Sequence, residues 1–271
     1  MILKININKI KELRNITNIS ILQCKKALIA AKGNINQAID YIRKYENIES
    51  IKKSKNKTKE GLIFSYITKD FGILLEINCQ TDFVAKSQQI RNFGKNILKY
   101  IFKHNQTDIS LIKEIFNQER IKLIGILKEN ICINRLGFLK GKFIGKYIHH
   151  SKRIGVIIKC DRDNDLLMKQ ISMHIAMLKP DYIHEKNIPI DIINHEYQLQ
   201  KNIAMKKNNK SKIIIKKIIE GRVKKFINNI TLYNQKFLLD NNKTVLHFLN
   251  ENKIKVLEFI YLELGTNIIK N

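Results

Sequence analysis

Tryptophan is absent, proline occurs twice, and four cysteines are scattered through 271 residues. Cys24, Cys79, Cys132 and Cys160 form no Cys-x-x-Cys pair, and none stands at zinc spacing from a histidine. This argues against a disulfide scaffold or a structural zinc site and predicts buried, reduced thiols. No metal is expected. No run of 18 or more apolar residues occurs, so no membrane-spanning helix is expected. The first residues, Met1-Ile2-Leu3-Lys4-Ile5-Asn6, lack the apolar stretch of a secretory signal. The expectation is a soluble, cytoplasmic protein. Nucleotide loops are missing too: there is no Gly-x-x-x-x-Gly-Lys-Ser/Thr and no Gly-x-Gly-x-x-Gly. Nor is there a Gly-x-Ser-x-Gly elbow. Among the histidines, His174 follows Leu167 and Ile171 at helical spacing and reads as a packed residue. His149-His150 falls in a hairpin loop, where simple solvation competes with a binding role. The residues support no enzyme and call for no cofactor.

Acid is also in short supply, with 24 acidic against 50 basic residues and a net charge of +26. Such a surplus invites nucleic acid. Only eight of the 50 are arginine, the residue suited to bidentate phosphate and base contacts. The lysines run along the whole chain, and Ile, Asn and Lys, all encoded by A/T-rich codons, saturate it. Codon bias then accounts for much of the charge, and no dedicated nucleic-acid partner is expected. A basic nucleic-acid-binding protein is the alternative reading, with salt-sensitive, non-specific polyanion binding as its signature. An adaptor using its N-terminal helices is a third.

What is present is ample core material, 44% hydrophobic, in a changing pattern. Residues about 8–45 read as three short helices. Cys24, Ala27, Leu28 and Ala31 stand at i, i+3, i+4, i+7, with Gly33 just beyond. If that face is internal, Ile21 and Leu22 cannot both be buried; at least one is exposed unless both close the small core. Residues 46–58 are lysine-rich and read as a linker. From Glu60 the pattern turns to strands: Gly61 to Ile67, then Gly72 to Asn78, a hairpin. Helical stretches are expected at about 84–103 and 110–128, the second striped by Ile112, Ile115, Phe116, Glu119, Leu123, Ile126 and Leu127. A strand over Ile131 to Phe138 follows. Gly141 to Ile148 and Gly155 to Cys160 loosely repeat the first hairpin and lead into a helix at about 163–178. Two helical segments, about 190–207 and 211–227, form an antiparallel hairpin, striped by Ile192, Leu199 and Ile203 on one arm. Ile215, Ile218, Ile219, Arg222, Val223 and Phe226 stripe the other. Lys207-Asn208-Asn209-Lys210 is its turn, and Val256 to Glu263 is a last strand. The fold class is α+β: two related α+β halves with small antiparallel sheets, preceded by a three-helix module and carrying a protruding helical hairpin. The expected domains are 1–45, a linker at 46–58, 59–138, and 139–271 with the hairpin inserted at about 187–227.

The organising stretch is Asn78-Cys79-Gln80-Thr81-Asp82-Phe83-Val84-Ala85-Lys86. A strand feeds it and a helix leaves it, so Asp82 and Phe83 sit on a corner that can present side chains outward. The plain alternatives are a helix cap for Thr81 or Asp82 and a core position for Phe83. The second hairpin has Asp161-Arg162-Asp163 instead, so the architecture does not itself require an acid and an aromatic there.

These residues resemble the bacterial elongation factor Ts family. Leu13-Arg14, Cys24-Lys25-Lys26-Ala27-Leu28, Gly33, Ala38-Ile39 and Arg43-Lys44 are similar to its N-terminal ubiquitin-associated-like module. Glu76 through Lys86 is similar to its most diagnostic segment, and Glu129-Asn130-Ile131 falls at the expected place. Arg153-Ile154-Gly155-Val156, Met173-His174-Ile175-Ala176 and Lys179-Pro180 resemble the second half. Glu220-Gly221-Arg222 with Lys224-Lys225-Phe226 resembles the return arm of the hairpin. The likeness runs from about residue 9 to 268. It implies a guanine nucleotide exchange factor for elongation factor Tu, supporting translation elongation. In the family the Thr-Asp-Phe-Val corner intrudes beside the partner's nucleotide site and displaces its Mg²⁺-binding region. That carries the disturbing role to Asp82 and Phe83, flanked by Thr81 and Val84. Ile21 and Leu22 match an apolar pair that touches the partner's G domain, and His149 matches a loop position facing its distal domain. The sequence does not choose between a monomer, a homodimer and a 2:2 complex with that partner. Two departures stand out: the C-terminal helical module of many members is expected to be absent, and Asn208-Asn209 replaces the Gly and Pro often found at the hairpin turn.

Overall fold

The computed structural model describes residues 6–17, 20–42, 57–68, 70–207 and 212–266. Arg43-Lys44, most of the expected linker at 46–58, Lys69 and the hairpin turn at 208–210 lie outside the described residues.

The N-terminal helices are α1 (Ile7–Thr17), α2 (Ile21–Ala30) and α3 (35–42). Ser20 starts α2 by accepting the Gln23 N–H at 3.3 Å, and Gly33 turns the chain at φ 81°. Their small core contains Leu13, Cys24, Ala27, Leu28, Ala31, Ala38 and Ile42, so the predicted four-residue face of α2 is the buried one. It closes without the first turn of α2.

The chain divides into two compact units, Met1–Phe64 with Leu75–Leu136, and Ser65–Leu74 with Gly137–Asn271. Strands β1 (Glu60–Thr68), β2 (Phe71–Cys79) and β3 (Cys132–Lys140) form one sheet in the order β1-β2-β3. β2 is buried at every position, as its near-continuous apolar run requires. Its one charge, Glu76, is fully buried and paired with Arg135, while Asn134 Nδ2 donates to Glu76 Oε1 at 3.2 Å. A charge at that depth is tolerable only with such partners.

The two helices expected after the hairpin are each broken. The first is α4 (Asp82–Lys86) and α5 (Gln88–His104), divided at Ser87. Ser87 takes an extended ψ of 151° and caps α5 by accepting the Ile90 N–H at 3.3 Å. α5 then lies so near β1 that a Cβ on Gly94 would meet the Phe64 ring at 2.6 Å. The second stretch is α6 (Ile109–Ile115) and α7 (Asn117–Leu127), divided at Phe116 with ψ 7°. That break rotates the apolar face. Ile112, Phe116, Leu123 and Ile124 are buried, while Ile115 and Ile126 of the expected stripe are exposed.

In the second unit β4 (Ile144–Ile148), β5 (Ile154–Cys160) and β8 (Val256–Glu263) form an antiparallel sheet in that order. Helix α8 (Asp165–Leu178) supplies Met168, Ile171 and Ile175 to the same core as Val156 and Ile158 of β5. Helices α9 (Ile190–Lys207) and α10 (Lys212–Ile230) pack around Ala204, Ile219 and Val223, with Ile193 and Tyr197 partly buried beside them. The stripe expected on α9 is therefore off by one position. Ile192, Leu199 and Ile203 are exposed, because α9 carries apolar residues on two faces and Ala204 selects the one that meets α10. No element is expected from the sequence between the hairpin and the last strand. There the chain forms a 3-10 turn at Leu232–Asn234, β6 (Lys236–Phe237), β7 (Asp240–Thr244) and α11 (Val245–Glu251). These add Leu232, Phe237, Val245 and Leu249 to the core.

His174 is a packed residue, as its spacing implied. It is fully buried, bonded through Nε2 to Gln235 Oε1 at 2.9 Å, and its Nδ1 accepts the Leu238 N–H at 3.2 Å. Nδ1 acceptance makes Nε2 the protonated nitrogen of a neutral ring. Burial pushes its pKa down to about 4, with the Gln235 bond opposing. The unfolded chain takes up this proton near pH 6.5 and the folded chain does not, so stability is complete above that range and falls as pH drops toward 4. Guanidinium unfolding at pH 7 and pH 5 should show about 2 kcal/mol of loss from this group. The His174→Gln variant should lack that increment, whatever its stability at pH 7.

Candidate functional site

β2 ends at Cys79, and two residues later the chain turns into α4. Thr81 is the cap, in extended geometry (φ −121°, ψ 155°), with its Oγ1 accepting the Val84 N–H at 3.4 Å. Thr81, not Asp82, does the capping. The Cys79 thiol donates to Thr81 O at 3.1 Å. Burial first, then Glu129 and Glu60, raise that thiol's pKa to about 12, which keeps the proton the bond needs.

The corner is held by an acid that lies 48 residues on. Glu129 Oε2 accepts the Gln80 N–H at 3.2 Å and the Thr81 N–H at 3.0 Å, while Oε1 accepts the Thr81 hydroxyl at 2.7 Å. α7 aims it there by ending at Lys128 in left-handed geometry (φ 61°). The sequence stretch Glu129-Asn130-Ile131 marked the place through resemblance alone. No local pattern reveals a side chain that serves a backbone so distant in sequence. Beneath the corner, Ala85 is buried with Leu62 and Cys79, and Val84 and Phe64 pack against them. Asn78 Oδ1 and Gln80 Nε2 are buried with no hydrogen-bond partner among the described residues.

On top, Phe83 is 82% exposed, which excludes the core-aromatic alternative. Asp82 forms an exposed ion pair with Lys86 at 2.6 Å, and hydrogen bonding to that lysine holds its carboxyl below the usual range. The four residues expected to act together are thus divided in work. Thr81 and Val84 anchor; Asp82 and Phe83 face outward. Both Ile21 and Leu22 are exposed, at 54% and 63%, so neither closes the N-terminal core. His149, in the second unit, is tied into the β4–β5 turn. Its Nδ1 lies 2.8 Å from Ser151 Oγ, its N–H bonds Ile154 O at 3.0 Å, and its ring lies 4.1 Å from that of His150.

A family model described as Elongation factor TS matches residues 80–266, beginning at this corner. The elongation factor Ts of Buchnera aphidicola subsp. Acyrthosiphon pisum (strain 5A) is 41% identical over 261 residues, 96% of this chain and 97% of that protein. The chain belongs to the elongation factor Ts family. Other members are nearly as similar. That of Cronobacter sakazakii is 38% identical over 267 residues, covering 98% and 94% of the two chains. That of Serratia proteamaculans is 39% identical over 261 residues, covering 96% and 92%. Membership makes the chain a translation elongation factor. No helix among the described residues is long and apolar enough to cross a membrane.

Exposure separates the corner's two layers energetically. Phe83→Ala should leave guanidinium unfolding within about 0.5 kcal/mol of the parent, as for other surface truncations. Thr81→Ala should destabilise by about 1–2 kcal/mol through loss of the cap. The reverse order would place Phe83 in the core after all.

Proposed function

We propose that this chain is a guanine nucleotide exchange factor that binds elongation factor Tu–GDP and promotes release of GDP. The observation that carries the proposal is an aromatic ring held 82% in solvent on a turn tied down from below. Leaving such a ring in water forgoes about 2 kcal/mol or more of burial. A partner pocket that takes it recovers that energy. Asp82 beside it adds a carboxylate that pairs with Lys86 on the same face.

The mechanism is differential binding. A partner shifts a nucleotide equilibrium only by preferring the form without nucleotide. The Phe83 ring supplies the preference if its pocket opens as the Mg²⁺-binding region moves aside. Linkage then requires GDP to weaken the chain's own grip on elongation factor Tu. No bond is made or broken by this chain, so it works as a binding protein and not as an enzyme. Ile21 and Leu22 supply a second contact, an apolar one, and His149 a third, polar one. Neither needs to enter the nucleotide site, and they add affinity to whatever state the ring selects.

Release of labelled GDP from elongation factor Tu should quicken in the presence of micromolar chain, and no acceleration would sink the proposal. Phe83→Ala should slow the stimulated rate by roughly 30-fold, the effect of losing about 2 kcal/mol at an interface anchor. In the double variant Ile21→Ser with Leu22→Ser, more protein should be needed for half-maximal release while the maximal rate holds.

A further inference from the structure

We propose that Glu129 is a positioning residue for exchange, holding the Thr81–Val84 corner in its binding geometry before the partner arrives. The inference rests on the exchange reading above and concerns a residue that touches neither nucleotide nor the exposed ring. α4 has five residues, too few to be helical unaided. Its first turn carries the ring. Two side chains engage the backbone ahead of the helix: the Cys79 thiol donates to Thr81 O, and the Glu129 carboxylate accepts the Gln80 and Thr81 N–H groups.

The Thr81 hydroxyl joins the two halves of the device. It has one proton, given to Glu129 Oε1 at 2.7 Å, which turns an oxygen lone pair toward the Val84 N–H at 3.4 Å. The acid therefore orients the cap, and the cap orients the turn that bears Phe83. Glutamate suits this better than its amide. Both its oxygens accept, and three donors face them. A glutamine keeps one acceptor for the two N–H groups and turns a donor toward the hydroxyl.

Preorganisation has a kinetic signature distinct from loss of the ring. When only a fraction of the corner is in binding geometry, apparent affinity falls by that fraction, and the bound complex still reacts normally. Glu129→Ala should therefore raise the elongation factor Tu–GDP concentration for half-maximal exchange (KM) by about tenfold while changing kcat little. Phe83→Ala should chiefly lower kcat. Glu129→Gln should fall between Glu129→Ala and the parent in KM. Hydrogen exchange at the Gln80 and Thr81 amides should speed up in the same order.

Steady-state exchange kinetics and NMR-detected amide exchange on the full chain decide it. Faster amide exchange with KM and kcat both unchanged would make the clamp merely structural and overturn the proposal. Unchanged amide protection in Glu129→Ala would overturn it as well. Should Glu129→Ala fail to fold, Glu129→Gln and Thr81→Val carry the test. Both must raise KM, with Thr81→Ser restoring it; otherwise the proposal fails. If the parent chain itself does not accelerate GDP release, it is the exchange reading that falls, and the amide data still report whether the clamp exists.

Discussion

A helix of five residues cannot hold itself together, and this one bears the most exposed large apolar side chain among the described residues. At the corner's entry a single carboxylate gathers three donors from the segment ahead of the helix. Much of the first unit can be understood as delivering that carboxylate. The helical stretch breaks at Phe116, and α7 follows. It stops at Lys128 in left-handed geometry, and the next residue bonds the segment that leaves β2. The buried Glu76–Arg135 pair and Asn134 then tie β3 to β2 a few residues from the clamp. Two acids thus brace one strand end, one inside the sheet and one at its exit.

The apolar surfaces assigned to binding are ones the folding cores do not need. The N-terminal module closes around Leu13, Cys24 and Leu28 without Ile21 or Leu22. The cluster beneath the corner closes around Ala85 without Phe83. The separation has a thermodynamic use. A side chain idle in the folded state can be selected for fit to a partner without stability opposing it. Where packing and polar satisfaction are complete, as around His174, Gln235 and Phe237, the residues are committed to the fold and unavailable for contact.

What sequence discloses here follows from how local each feature is. The buried face of α2 and the strand Val256–Glu263 rest on short-range periodicity, and both stand where the pattern placed them. The breaks at Ser87 and Phe116 hide inside apolar stretches whose composition suits one long helix. On α9 two candidate stripes compete, and only the neighbour α10 decides between them. β6 has two residues, and β7 is Asp-Asn-Asn-Lys-Thr with no apolar alternation to betray it. At the site, the corner's position between strand and helix is legible, but residue chemistry leaves a cap for Asp82 and a core place for Phe83 open, and only the fold shows Phe83 exposed. The Glu129 clamp is not legible, because it joins residues 48 and 49 apart through side-chain geometry alone.

The second hairpin tests how much weight exposure itself can bear. Its helix starts later than Asp161-Arg162-Asp163: Asn164 is the cap, accepting the Leu167 N–H at 3.1 Å, and Asp165 and Leu166 open α8. An acid and a large apolar residue therefore occupy the same two positions after the cap as Asp82 and Phe83. Leu166 is 66% exposed. The first two positions of a helix leaving a strand face outward in both halves, so exposure there is largely a property of place. What differs is the support. Asp161 ties the second corner to Lys255, accepting its N–H at 2.7 Å, while the cap of α8, Asn164, bonds into its own helix. At the first corner the acid engages the capping residue itself, through backbone and hydroxyl together. α8 runs for 14 residues and needs no such help; α4 has five and does. The case for function at Thr81–Val84 therefore rests on an aromatic ring combined with a dedicated clamp, and would be weak on exposure alone.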